Sequence, residues 1–245
     1  MANFDTFFRL VLGRNSGYLC IATLNTVTRK FSEKFFEYPK QLSLAEDFLD
    51  KVIPETNVYF CPNLFNKPRR IKENVISTPS AWSDLDRCNP ANLLVRPSVV
   101  LESSPNRYQG FWLFDDEVEP EDAEDISRRI AYYHKEDGAD ISGWDLTQLL
   151  RVPKSINFKY STTPEVKIIK ADKSFYRLED FEVYPLLKQF KFAVDELPII
   201  PERLTGKILL DEGGDRVPPV LLRQFDLDPE DGDWSQALWF LENLA

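Results

Sequence analysis

The sequence predicts a mixed α/β protein, and three observations lead there. Runs with helical spacing alternate along the chain with short β-branched and aromatic runs bounded by Pro, Gly and Asn. Hydrophobic residues make up 43% of the chain and aromatic ones 13%, which supports a packed core and argues against disorder. At 245 residues there is room for one large domain, or for a domain with an appendage.

Phe4, Phe7, Phe8 and Val11 recur at helical spacing, predicting a helix over 3–12 that Gly13 and Gly17 close. Strands are expected over 18–24 and 30–38, paired across the polar connection 25–29, with Pro39 ending the second. Ser43-Leu44-Ala45-Glu46 has the form of a capping box and predicts a helix with Phe48, Leu49 and Val52 on one face. Pro54 stops it, and 57–62 reads as a further strand, so the N-terminal third reads as scaffold. Strands at 97–101 and 110–114 form a hairpin whose tip, 103–109, is small and polar. The stretch 120–135 predicts a helix whose acidic start suits its dipole, with His134 a surface residue near the end. A short helix over 146–150, capped by Asp145, and a strand over 165–170 complete the reading of this part. Beyond an aromatic-rich segment at 175–192, prolines at 198, 201, 218 and 219 and the acidic run 226–233 suggest a linker ending in an amphipathic stretch at 234–244. The expected division is a folded domain over 1–185 and an extension over 186–245 that leads towards a further module.

The formal charge of −10 argues against a generally basic, nucleic-acid-coating surface, though not against a local basic groove. Lys67, Arg69, Arg70 and Lys72 put four positive charges into six residues, either a solvated loop or a phosphate-facing patch. Cys20, Cys61 and Cys88 are scattered, with no Cys-x-x-Cys pair, and His134 is the single histidine, so no zinc set is expected. Buried, inert thiols in a reducing compartment are the natural reading. With no apolar run of membrane-spanning length and no basic start to the first residues, a soluble cytoplasmic protein is expected.

The chemistry concentrates between Ala81 and Tyr160. Asp84 and Asp86 stand two residues apart at the end of a predicted strand, where i and i+2 share a face. Two carboxylates so close repel unless a cation lies between them, and hard oxygen donors suit Mg²⁺ or Mn²⁺. The bland alternative is a solvated loop or a helix cap. Asp140 and Asp145 are two further candidate acids in the loop 137–145, and Arg151, Lys154 and Lys159 interleave with apolar residues as a phosphate-facing segment would.

Taken in order, four motifs resemble the catalytic domain of primase-polymerases of the archaeo-eukaryotic primase superfamily, in its phage and plasmid form. Trp-Ser-Asp-Leu-Asp at 82–86 is similar to the family's Asp-x-Asp strand end, and Ser104-Pro-Asn-Arg-Tyr-Gln-Gly-Phe-Trp112 to its Ser-Gly-Gly-Gly-Tyr-His-x-Tyr-Trp turn. Gly138-Ala-Asp140 resembles the Gly-x-Asp element, and Arg151-Val-Pro-Lys-Ser-Ile-Asn-Phe-Lys159 a variant of Arg-x-Pro-Gly-Thr-x-Asn-His-Lys. The resemblance covers roughly residues 17–160 and implies a two-module α/β (α+β) core with an RNA-recognition-motif-like sheet.

The implied reaction is template-directed nucleotidyl transfer from (d)NTPs on single-stranded DNA, assisted by two Mg²⁺ or Mn²⁺ ions. Asp84, Asp86 and Asp140 are the implied metal ligands, with Asp145 as fallback, and Gln109 joins them as a catalytic position. Ser104, Arg107, Gln109, Arg151, Asn157 and Lys159 are the nucleotide-binding candidates, and Lys67, Arg69, Arg70 and Lys72 the nucleic-acid-binding ones. The chain departs from the pattern at Gln109 and Phe158, where the family has histidines, at Pro105-Asn-Arg in the Gly-rich turn, and at Lys154-Ser155 for Gly-Thr. A glutamine can donate a hydrogen bond but cannot carry a charge or shuttle a proton. Two other readings stand beside the enzyme: a weakened relative acting as a DNA-binding replication module, and, more remotely, a metal-dependent glycosyltransferase. No Gly-x-x-x-x-Gly-Lys-Ser/Thr loop occurs in the chain, so a helicase partner would lie in a separate module.

Overall fold

The computed structural model describes residues 4–186. The chain opens with α1 (Phe4–Leu12), β1 (Gly17–Asn25), β2 (Phe31–Tyr38), α2 (Leu42–Val52) and β3 (Thr56–Phe65). It continues through β4 (Thr78–Asp86), β5 (Val99–Ser104), β6 (Arg107–Val118) and α3 (Pro120–Tyr133) to β7 (Leu150–Arg151), β8 (Lys167–Ala171) and β9 (Phe175–Tyr176). The expected linker and terminal amphipathic stretch, and the end of the aromatic-rich segment, lie outside the described residues.

Two antiparallel sheets result. The first has strand order β2-β1-β3-β7 and the second β4-β6-β5-β8, with β9 pairing in parallel to β6. In β6, Gly110, Phe111, Trp112, Leu113 and Phe114 are all buried, as a central strand covered on both faces requires. Helix α1 joins the sheets through its apolar face. The Phe7 ring lies 5.3 Å from Phe60 of β3 and 5.9 Å from Phe111 of β6, so one aromatic cluster is common to both sheets. Helix α3 covers β4, where the buried Ser127 hydroxyl accepts the Trp82 backbone N–H at 3.1 Å.

Three expectations are corrected. Helix α2 begins at Leu42 rather than after Ser43, because Gln41 closes the turn from β2: its side-chain carbonyl accepts the Glu37 N–H at 3.0 Å. Residues 146–147 form a turn instead of starting a helix, since the Asp145 carboxylate takes the Thr147 N–H at 2.7 Å, and the chain then runs into β7 at Leu150 against β3. His134 is not on the surface. It is 2% exposed, packed edge-on against the Tyr133 and Tyr184 rings.

Candidate functional site

Asp84 lies opposite Gln109 in the β4–β6 ladder, and a bulge then interrupts the register before Asp86, which pairs with Tyr108. Asp86 has φ +42, a left-handed conformation that Asp tolerates better than most residues. Such bulges re-aim a side chain at a strand end. The simple same-face pair expected from spacing is therefore replaced by a kinked strand end, in which the Asp84 carboxylate accepts the Asp86 backbone N–H at 3.3 Å.

The third acid arrives from the loop after α3. The Asp140 N–H donates to the Asp84 carbonyl at 3.0 Å, which docks the Gly138-Ala-Asp140 turn onto β4. Gly138 has φ +101, a conformation that glycine adopts without penalty. Sequence reading missed Gly143, whose position is equally constrained: a Cβ there would come within 2.8 Å of the Asp84 Cβ. Its only signal was a Ser-Gly pair shortly after a candidate acid, which is the pattern of any tight turn.

Burial, then the charges of Asp140 and Asp86, push the Asp84 carboxyl up to about 6, with the Asp86 N–H and the Gln109 amide opposing them. Asp84 feels the charges of both Asp86 and Asp140, and carboxylate oxygens are the hard donors that divalent Mg²⁺ or Mn²⁺ prefers. In donor chemistry, these residues suit the metal that the sequence implies. Arg107 now supplies positive charge to the group, with its guanidinium on the Asp86 carboxylate. Asp145 does not belong to this set. Burial works against its charged form, yet Lys72 at 2.7 Å and the Thr147 hydroxyl and N–H hold its carboxyl below the ordinary value.

Gln109 is buried and bridges the two sheets. Its amide carbonyl accepts the Arg151 backbone N–H at 2.9 Å, and its amide hydrogen-bonds the Asp84 carboxylate. Arg151 is likewise buried: its guanidinium donates to Asn57 at 2.7 Å and Asn157 at 2.8 Å and stacks 4.5 Å from the Tyr59 ring. Burial lowers its pKa, opposed by Tyr59 and by the Asp84 charge. Asn157 also donates to the Ser103 carbonyl at 2.9 Å. Gln109, Arg151 and Asn157, read from the sequence as nucleotide contacts, are in the structure a brace behind the carboxylates. Asn57 and Tyr59 were read as plain scaffold, because one polar residue at the start of a strand carries no sequence signal. Ser104 is buried with no hydrogen-bond partner for its hydroxyl, and Lys159 is exposed.

The basic run divides in two. Arg70 binds Glu33 at 2.6 Å and the Thr147 carbonyl at 2.6 Å, and Lys72 binds Glu124 at 3.0 Å as well as Asp145. Lys67 and Arg69 are exposed. Half of the expected phosphate patch is thus engaged in holding the protein's own loops.

A carboxylate cluster at a strand end, braced across two antiparallel sheets, occurs here in a fold shared with primase catalytic domains. The catalytic domain of primase RepB′ in complex with initiator DNA is similar at a TM-score of 0.54 and 16% identity, over 74% of this chain and 91% of that one. The AEP domain of the cyanophage S-2L primase-polymerase is similar at 0.55 and 13% identity, over 73% and 94%. A further structure of primase RepB′ matches at 0.53 and 17%, with 60% of its length covered. A search of curated proteins finds no match. The chain belongs to the RepB DNA-primase N-terminal domain family, whose model matches residues 55–181, just over half of it.

Proposed function

We propose that this chain is a metal-dependent DNA primase and polymerase, transferring nucleotides from (d)NTPs to a strand templated by single-stranded DNA during phage or plasmid replication in the cytoplasm. The observation that carries the reading is the convergence of Asp84, Asp86 and Asp140 from two chain segments, backed by the buried Arg151. Family membership and the DNA-bound RepB′ relative support it.

Asp84, Asp86 and Asp140 would hold the two divalent ions. When bound, such ions activate the attacking hydroxyl and neutralise the triphosphate. Every other role falls to side chains. Arg107, paired with the Asp86 carboxylate, would offer its guanidinium to a phosphate oxygen of the triphosphate. Lys159 is exposed and offers a second cation to the triphosphate, and the unpartnered Ser104 hydroxyl a neutral donor. Gln109 cannot move a proton, and its hydrogen bonds leave it a positioning residue that sets Asp84 against Arg151. Lys67 and Arg69 are the exposed cations of the basic run and would meet template or primer phosphates.

Primer-extension and de novo synthesis assays on single-stranded DNA, with Mg²⁺ or Mn²⁺, test the proposal. Wild type is expected to make product, and the double substitution Asp84→Ala with Asp86→Ala to make none while still binding DNA. A wild type that binds DNA but yields no product in either metal would replace the enzyme by a non-catalytic DNA-binding module.

A further inference from the structure

Outside the carboxylate cluster, the single histidine and one of the scattered cysteines come together. Cys88 follows β4, its N–H donating to the Leu85 carbonyl at 2.8 Å. His134 ends α3, and the turn after it brings Asp137 back, with the Asp137 N–H on the His134 carbonyl at 3.0 Å. The two segments are stitched together where the Arg87 N–H meets the Gly138 carbonyl at 3.2 Å. One donor atom from each of Cys88, His134 and Asp137 lies within 4.8 Å of the others.

Two of the three are removed from water: Cys88 is 0% and His134 2% exposed. The imidazole is oriented, with Nδ1 held 2.8 Å from the Asp137 carboxylate. An ion shared by the two would sit between Nδ1 and the Asp137 carboxylate in place of the proton there, while Nε2 is buried with no hydrogen-bond partner. The exposed Asp137 gives a route in from solvent.

We propose that Cys88, His134 and Asp137 form a binding site for a zinc-class divalent ion, separate from the Asp84–Asp86–Asp140 cluster. A sulfur, a nitrogen and an oxygen donor together suit zinc, whereas Mg²⁺ prefers all-oxygen sites, and three protein ligands leave a fourth position for water. The ion would tie the segment just after Asp86 to the turn that leads into Asp140. It therefore fixes the spacing of the acids without touching substrate. The absence of any Cys-x-x-Cys pair hid this site, because its ligands come from segments some forty-five residues apart in the sequence.

The test is spectroscopic and does not depend on polymerase activity. The full chain is freed of metal with a chelator, desalted and titrated with Co²⁺ in excess Mg²⁺, which occupies the oxygen-donor cluster. A thiolate-to-cobalt charge-transfer band is expected to grow in and to be displaced by about one equivalent of Zn²⁺. Cys88→Ser should lose that band, and Asp137→Asn, an exposed change that spares the fold, should weaken Zn²⁺ binding by about 10–100-fold. The double change Asp84→Asn with Asp86→Asn should leave the band intact. No band in wild type, or a band that survives in Cys88→Ser, would overturn the proposal.

Discussion

At Asp84 the fold and the site pull in opposite directions, because burial and two neighbouring acids disfavour the charge that a metal ligand needs. With its folded value raised to about 6 from 3.8, the residue contributes most to stability below 3.8, and that contribution is lost as pH rises through about 6. An Asp84→Asn protein keeps the acceptor for the Asp86 N–H but never carries the charge. It should melt higher than wild type at neutral pH in chelator, and the gap should close as pH falls below about 6. Thermal denaturation across that range checks this, and a constant gap would refute it. Gln109 makes a second test at this scale. Gln109→Leu leaves the buried Arg151 N–H without an acceptor, a loss of about 1–3 kcal/mol in chemical denaturation. The same change should lower nucleotide incorporation by displacing Asp84, whereas Gln109→His, which restores the family residue, should retain activity or raise it.

Among the elements, the loop between α3 and β7 is the most exacting part of the site. It presents Asp140, fills the space beside Asp84 with Gly143, and is clasped from outside by Lys72 on Asp145 and by Arg70 on the Thr147 carbonyl. Gly143→Ala would drive a methyl group into the Asp84 Cβ, so activity should fall at least about tenfold, the effect of a misplacement near 1 Å or less. Steady-state incorporation kinetics measure it. The divided basic run gives a further expectation. Arg69→Ala should weaken single-stranded DNA binding and flatten its salt dependence, while Lys72→Ala should leave the salt slope unchanged and cost at most about 1 kcal/mol of stability.

Strands and long helices were legible in the sequence because their periodicity reflects burial directly, as in the apolar run of β6 or the Phe4, Phe7, Phe8 stripe of α1. Asp84, Asp86 and Asp140 stood out through their spacing and their order among the other motifs, and the structure docks the Asp140 turn onto Asp84. What was not legible depended on tertiary partners. Ser43 has capping-box chemistry, but Gln41 had already closed the turn, and the interior positions of His134 and Arg151 follow from neighbours that no local pattern names.

Across the whole molecule, stability and function meet in the aromatic cluster shared by the two sheets. Phe7→Ala removes the ring that touches both Phe60 and Phe111, and should cost about 3–5 kcal/mol of unfolding free energy. Because Gln109 on β6 and Arg151 on β7 hold the site across the same two sheets, that change should also lower incorporation in the fraction that remains folded. The central claim is that three particular carboxylates, and not merely an acidic loop, form the centre for nucleotide transfer. The most direct measurement is single-nucleotide incorporation on primed single-stranded DNA by Asp140→Asn and Asp145→Asn, side by side with wild type. The account predicts loss of product for Asp140→Asn and near-normal product for Asp145→Asn, whose carboxylate is engaged by Lys72. Retained incorporation in Asp140→Asn, or loss confined to Asp145→Asn, would contradict it.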